Sequence, residues 1–196
     1  MPVPDLTGLL GQIRACRVCA AQLPHEPRPV LRAAAGARLL IVGQAPGRRV
    51  HETGIPWNDP SGDRLRDWLQ LDKTSFYDEG RIAIVPTGFC YPGTGRSGDL
   101  PPRPECAPLW HPPLQEALPE IRLTLLIGSY AQAYYLGTRR KPTLTATVAA
   151  WADYAPDLLP LPHPSPRNGL WLTRNPWFEA ELLPVLRGRV AAVLAG

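Results

Sequence analysis

Apolar residues recur along this chain in two rhythms. Leu6, Leu9, Leu10 and Ile13 fall at helical spacing, which predicts an amphipathic helix over residues 6–15. Leu39, Leu40, Ile41 and Val42 form a short unbroken run instead, as expected of a strand buried on both faces. Leu65, Trp68 and Leu69 mark the apolar stripe of a helix that Ser61 or Asp63 can cap. Residues 81–85 read as a second strand and residues 123–128 as a third, after which Ser129 caps a helix over 130–136. The periodic segment 109–118 carries Pro112-Pro113, which must break it or start its main helix at Pro112. Residues 143–151 look helical, and 158–161 form a short fourth strand that ends at His163. Asn175-Pro176 opens a final helical region through Leu194 that Pro184 kinks or divides.

Strands alternating with helices at this spacing predict an α/β fold, three-layer α/β/α with a central four-stranded parallel sheet. Right-handed crossovers place the loop after each strand along one edge of that sheet. Gln44, Asp59, Pro86, Ser129 and His163 collect at this edge. Residues 1–196 are expected to form a single domain, because the length suits one core.

Proline changes the picture most: its 25 residues require much of the chain to be ordered loop, and long ordered loops in a compact domain are usually functional. A formal charge of +4 permits a polyanionic partner without demanding one. Arg64, Arg66, Arg96, Arg103, Arg167 and Arg174 fall near the predicted loop edge, where they suit phosphate contacts. No apolar run is long enough to cross a bilayer, and Met1-Pro2-Val3-Pro4-Asp5 lacks the regions of a signal peptide. The expectation is a cytoplasmic, monomeric protein with no membrane contact.

In a reducing compartment, four cysteines read as metal ligands, redox groups or buried apolar residues rather than as disulfides. Cys16 and Cys19 form one tight pair, whereas Cys90 and Cys106 lie far downstream with fifteen residues between them. One pair plus two singles suits a four-iron cluster (4Fe-4S) at least as well as zinc.

Two further segments carry candidate chemistry. Gly43-Gln44-Ala45-Pro46-Gly47 follows the first strand and brings bare backbone close to a ligand at the strand's carboxyl end. His163-Pro164-Ser165-Pro166-Arg167-Asn168 holds an imidazole between prolines, where it can stabilise a leaving group's negative charge or simply occupy a surface turn. Between them, Asp59 either serves a water or a cation or caps a turn, and Trp57 offers a flat face for a base or fills the core.

Together these segments resemble the uracil-DNA glycosylase superfamily over nearly the whole chain. Gly43 to Gly47 is similar to the first active-site motif of the iron-sulfur family 4 enzymes. Residues 163–168 are similar to the second motif of the single-strand-selective branch, and the four cysteines match the cluster ligands of families 4 and 5. Gly54-Ile55-Pro56-Trp57 resembles the segment whose aromatic ring stacks on uracil, and Asp59-Pro60-Ser61-Gly62 resembles the family 5 segment with a catalytic Asp. The resemblance implies an enzyme that flips uracil, or another deaminated base, out of damaged DNA and hydrolyses its N-glycosidic bond. It assigns catalysis to His163 and Asp59 and substrate binding to Gly43, Gln44, Ala45, Pro46, Gly47, Trp57 and Asn168. Ser165 and Arg167 fall to DNA contact, and Cys16, Cys19, Cys90 and Cys106 to a 4Fe-4S cluster.

Three departures qualify the resemblance: Gln44 replaces Glu, Ala45 stands where other branches place a catalytic Asp or Asn, and Pro86 aligns with a uracil-reading Asn. Two other functions fit the same residues: a damage-binding module without turnover, and a metalloenzyme acting on free nucleosides or nucleobases.

Overall fold

The structure, a computed structural model, describes residues 5–96 and 98–196; Ser97 and the first four residues, on which the signal-peptide expectation falls, lie outside the described residues. Asp5 caps α1 (Leu6–Arg14) by accepting from the backbone N–H groups of Thr7 and Gly8, and Leu9, Leu10 and Ile13 form its buried face. Strand β1 (Leu39–Val42) follows, then the short helix α2 (Arg48–Thr53), helix α3 (Pro60–Leu69) and the single turn α4 (Lys73–Phe76). After β2 (Ile82–Ile84) comes a small antiparallel hairpin of β3 (Thr94–Gly95) and β4 (Gly98–Asp99). The chain continues through α5 (Cys106–Glu116), β5 (Leu123–Ile127), α6 (Gly128–Leu136), α7 (Leu144–Ala149) and β6 (Leu158–Leu161). It ends with α8 (Gly169–Arg174), a π-helical turn (Phe178–Leu182) and α9 (Leu183–Ala195).

The main sheet has four strands in the order β2-β1-β5-β6, all parallel. Successive side chains of β1 serve opposite faces, as the strand period requires. Leu39 and Ile41 join the core under α3, the π turn and α9, whereas Leu40 and Val42 join the core under α1, α5 and α6. That is the expected three-layer α/β/α arrangement. Pro160 lies inside β6, which is tolerable because β6 is an edge strand with one side free of ladder bonds. Among the described residues no helix is long and apolar enough to cross a membrane.

Several boundaries differ from the expectation. Helix α3 starts at Pro60, capped by Asp59 rather than by Ser61 or Asp63, since the Asp59 carboxylate accepts from Gly62 N–H at 2.8 Å. Helix α5 starts at Cys106 and runs through Pro112 and Pro113 instead of beginning there. Burial of Ala107, His111 and Leu114 on its inner face offsets the lost backbone donors. Ser129 caps nothing: α6 begins at Gly128 with no side-chain cap. Pro184 sits in the first turn of α9, so it divides the C-terminal region after the π turn. The hairpin β3–β4 has only two residues per strand, too few to show an alternating pattern in sequence.

Candidate active site

The loops after β1, β2 and β6 meet at the carboxyl edge of the sheet around a cavity of about 540 Å³. That size is ordinary for a small-molecule or cofactor site. Gly43, Gln44, Ala45, Pro46, Gly47, Trp57, Asp59, His163, Ser165, Arg167 and Asn168 all line it. Residues separated by more than a hundred positions are thus brought to one place.

The first loop is zipped to the loop after β2. Thr87 and Gly88 donate their backbone N–H groups to the carbonyls of Gly43 (3.0 Å) and Gln44 (2.9 Å). The Thr87 hydroxyl donates to the Gln44 carbonyl at 2.6 Å, so the first motif is fixed from behind and its opposite side faces the cavity. Pro86 lines the same cavity, and its carbonyl accepts from His111 Nε2 at 3.0 Å. Tyr135 donates to His111 Nδ1 at 2.8 Å, which completes a buried, neutral imidazole. Burial pushes the His111 pKa down to about 4. His111 is thus a buried brace for the Pro86 loop.

Trp57 adopts a left-handed backbone (φ 56°), uncommon for a bulky residue and sustained here by its surroundings. Its carbonyl occupies the space a side chain at Gly62 would need: a Cβ there would fall 1.7 Å from the Trp57 oxygen. Glycine at 62 therefore lets the start of α3 press against Trp57. Across the cavity wall, the Trp57 and His163 rings lie 5.6 Å apart at a 36° tilt.

The His163 loop is held at three points. Asn168 Nδ2 donates to the His163 carbonyl (2.8 Å), Arg64 Nη1 donates to the Ser165 carbonyl (3.0 Å), and Ser165 N–H donates to His163 Nδ1 (3.1 Å). The last bond settles the tautomer: with Nδ1 accepting, the proton resides on Nε2. Burial holds the His163 pKa below its ordinary value, while the nearby Asp59 charge works in the other direction. The imidazole is therefore neutral at neutral pH and keeps one N–H to donate.

Not every expected contact is available to a ligand. Arg66 is buried and bonds Asp63, the Tyr77 hydroxyl and the Trp57 carbonyl, so it is a structural group rather than a phosphate contact. Arg103 pairs with Glu105 at 2.6 Å near the cysteines. Asp99, which sequence reasoning missed, lines the cavity from the hairpin.

Cys16, Cys19, Cys90 and Cys106 line a second, separate cavity with Leu23, Pro29, Phe89 and Trp110 among its apolar walls. Phe89 N–H donates to Cys106 Sγ at 3.4 Å, and Arg28 N–H lies against Cys90. Burial pushes the Cys90 thiol up to about 11 and the Cys106 thiol up to about 12. Among the described residues, no three His, Cys, Asp or Glu side chains are grouped as ligands of a single metal ion.

The cavity thus sits at the carboxyl edge of a parallel α/β sheet, walled by an indole, a neutral imidazole and a glycine-rich loop. The sequence profile of the Uracil DNA glycosylase superfamily matches residues 32–187, and the chain belongs to that superfamily. It is also similar to a candidate uracil DNA glycosylase from Methanosarcina acetivorans solved by NMR in solution. The two share 16% identity over 82% of this chain and 98% of that one, with a TM-score of 0.48.

Proposed function

We propose that this protein is a DNA repair glycosylase that takes uracil, or another deaminated base, into the cavity and hydrolyses its N-glycosidic bond. One observation carries the reading most: both sequence motifs converge on one cavity in which His163 is neutral and retains its Nε2 proton. Bond cleavage leaves negative charge on the departing base and positive character on the sugar. A fixed N–H donor beside the base O2 stabilises that charge as it develops, without reorganisation at the moment of reaction. Trp57 offers its ring to the flipped base, and the backbone of residues 43–47 lies within reach of its polar edge. Asp59 has one carboxylate oxygen engaged as the helix cap, so its contribution is chiefly its charge beside His163 and the sugar. Arg167 and Ser165 at the rim engage the DNA strand, and Asn168 acts by holding the His163 loop.

Base choice is expected to be loose. Pro86 presents no side-chain donor, and Gln44 Nε2 is engaged with the Leu100 carbonyl at 3.5 Å. Without a buried group that a wrong base would leave unpaired, discrimination is modest.

A four-iron cluster at the cysteines is supported by two features: four thiols share one largely apolar enclosure, and backbone N–H groups point at two of the sulfurs. Cys16, Cys19, Cys90 and Cys106 would hold it as thiolates. Bound there, the group would supply a cross-link between the end of α1, the loop after β2 and the start of α5, within a single domain spanning residues 1–196. This set of ligands aligns the chain with the iron-sulfur families 4 and 5, while the second motif remains of the single-strand-selective type.

The direct test is base release from single- and double-stranded oligonucleotides carrying uracil, hypoxanthine or xanthine. Release from at least uracil DNA is expected. Tight binding of damaged DNA without release would assign the protein to damage recognition, and equal action on free nucleosides would remove DNA from the account.

A further inference from the structure

The proposed reaction needs a group to serve the attacking water, and the first motif offers none, because Ala45 contributes only a methyl. The hairpin β3–β4 brings in another carboxylate. Asp99, in register with Thr94, lines the same cavity as His163 and Asp59. It packs so closely on the first motif that a Cβ at Gly47 would lie 3.2 Å from its Oδ2. Beside it, Gly98 holds φ 137°, a conformation side chains rarely adopt, and a Cβ there would meet the Arg167 guanidinium.

The carboxylate is also held. Thr94 donates its hydroxyl to Asp99, and the Tyr91 hydroxyl lies 2.5 Å from Thr94 Oγ1. Gln44 Nε2 reaches the Leu100 carbonyl, which ties the exit of the hairpin to the first motif. Tyr91 itself is buried and follows Cys90 directly in the chain.

We propose that Asp99 is the general base of this glycosylase, with Thr94 as the residue that positions it. The inference rests on the glycosylase reading above. In the step, Asp99 takes a proton from water as the water oxygen bonds to C1′ of the sugar. The C1′–N1 bond breaks, its electron pair leaves with the base, and His163 Nε2–H donates to the anion. The proton on Asp99 then passes to solvent, which protonates the released base. Titratable groups lining the cavity are Asp59, Asp99, His163 and Arg167. Burial raises the Asp99 pKa and the Asp59 charge adds to this, while Arg167 and the Thr94 hydroxyl oppose it. That direction suits a base that must accept a proton.

The alternative is that Asp99 merely offsets the charge of Arg167. Single-turnover release of uracil, measured across pH for wild type, Asp99→Asn, Thr94→Val and Arg167→Gln, separates the two. Affinity for the abasic product oligonucleotide and melting temperature are read on the same samples. Asp99→Asn is expected to slow release roughly a hundredfold or more and to abolish the acid limb of the pH profile. Its affinity should be equal or higher, because a negative charge beside the DNA has gone. Thr94→Val should move the acid limb to higher pH, since a bond to the charged form is lost. If Asp99→Asn keeps the wild-type rate, or if it keeps the acid limb while Arg167→Gln reproduces the loss, the inference is overturned. If the wild type releases no base from any substrate, the glycosylase reading itself fails and takes this one with it.

Discussion

Adding one methyl group at Gly62 should unfold part of the active site. In an exposed helix, Gly→Ala normally stabilises by up to ~1 kcal/mol. Gly62 departs from that because its Cβ would sit 1.7 Å from the Trp57 oxygen, 2.6 Å from the Trp57 carbonyl carbon and 2.9 Å from the Trp57 Cβ. Reaching an ordinary contact requires a displacement of ~1.5–2 Å. The obstructing atoms are mostly backbone, and that backbone already holds a left-handed conformation. Either α3 moves away and loses the Asp59 cap on Gly62 N–H, or Trp57 moves and the wall it shares with His163 shifts. We expect Gly62→Ala to cost ~3 kcal/mol, the upper range for overpacking. Base release should fall about a hundredfold if the reacting groups shift by ~1 Å. Gly188 in α9 is the control: nothing lies within 4 Å of its Cβ position, so Gly188→Ala should be neutral or stabilising. Urea midpoints for the two variants, read beside base release, make the comparison. A Gly62→Ala protein as stable as Gly188→Ala, with wild-type activity, would refute the steric account of Trp57.

Stability should fall on acidification because of His111. Its native pKa of about 4 lies below the usual histidine value, so between about pH 6.5 and 4 the unfolded chain binds a proton that the native state does not. Native stability is therefore full above that window and lost as pH falls through it, by about 3 kcal/mol if the shift is taken whole. His111→Gln should flatten this dependence, as checked by urea midpoints at about pH 7 and about pH 4.5; an unchanged slope would place the titration elsewhere. Protein purified without oxygen should be brown and contain iron and sulfide, and Cys90→Ala should lose both colour and folding stability. A colourless protein carrying stoichiometric zinc contradicts this. Affinity for abasic DNA should fall steeply with salt, and Arg167→Gln should reduce the slope by about one phosphate contact; a flat response would point to a free nucleoside.

The residues legible in the sequence were those that punctuate it. Gly43 to Gly47 and His163 to Asn168 stand directly after apolar runs, so strand order and right-handed crossovers were enough to gather them at one edge. Trp57 and Asp59 followed from the glycine and proline around them, although the cap made by Asp59 was assigned to its neighbours Ser61 and Asp63. Asp99 escaped notice because its hairpin has two residues per strand, too few for any alternation, within a glycine-rich segment. His111 and Arg66 escaped for the opposite reason. Their types favour the surface, and only tertiary partners, the Pro86 carbonyl and Tyr135 for one and Asp63 with Tyr77 for the other, make their burial tolerable. Helix α5 ran through two prolines because its buried face outweighed a local rule.

The central claim is that the base leaves as an anion onto the Nε2 proton of His163. Single-turnover release of uracil by wild type, His163→Ala and Asp59→Ala tests it directly. Loss of a fixed donor of this kind typically costs ~3 kcal/mol, so His163→Ala should be slower by about a hundredfold or more, and by more than Asp59→Ala. Near-wild-type release by His163→Ala, with Asp59→Ala inactive, would contradict the account and make Asp59 the principal catalyst.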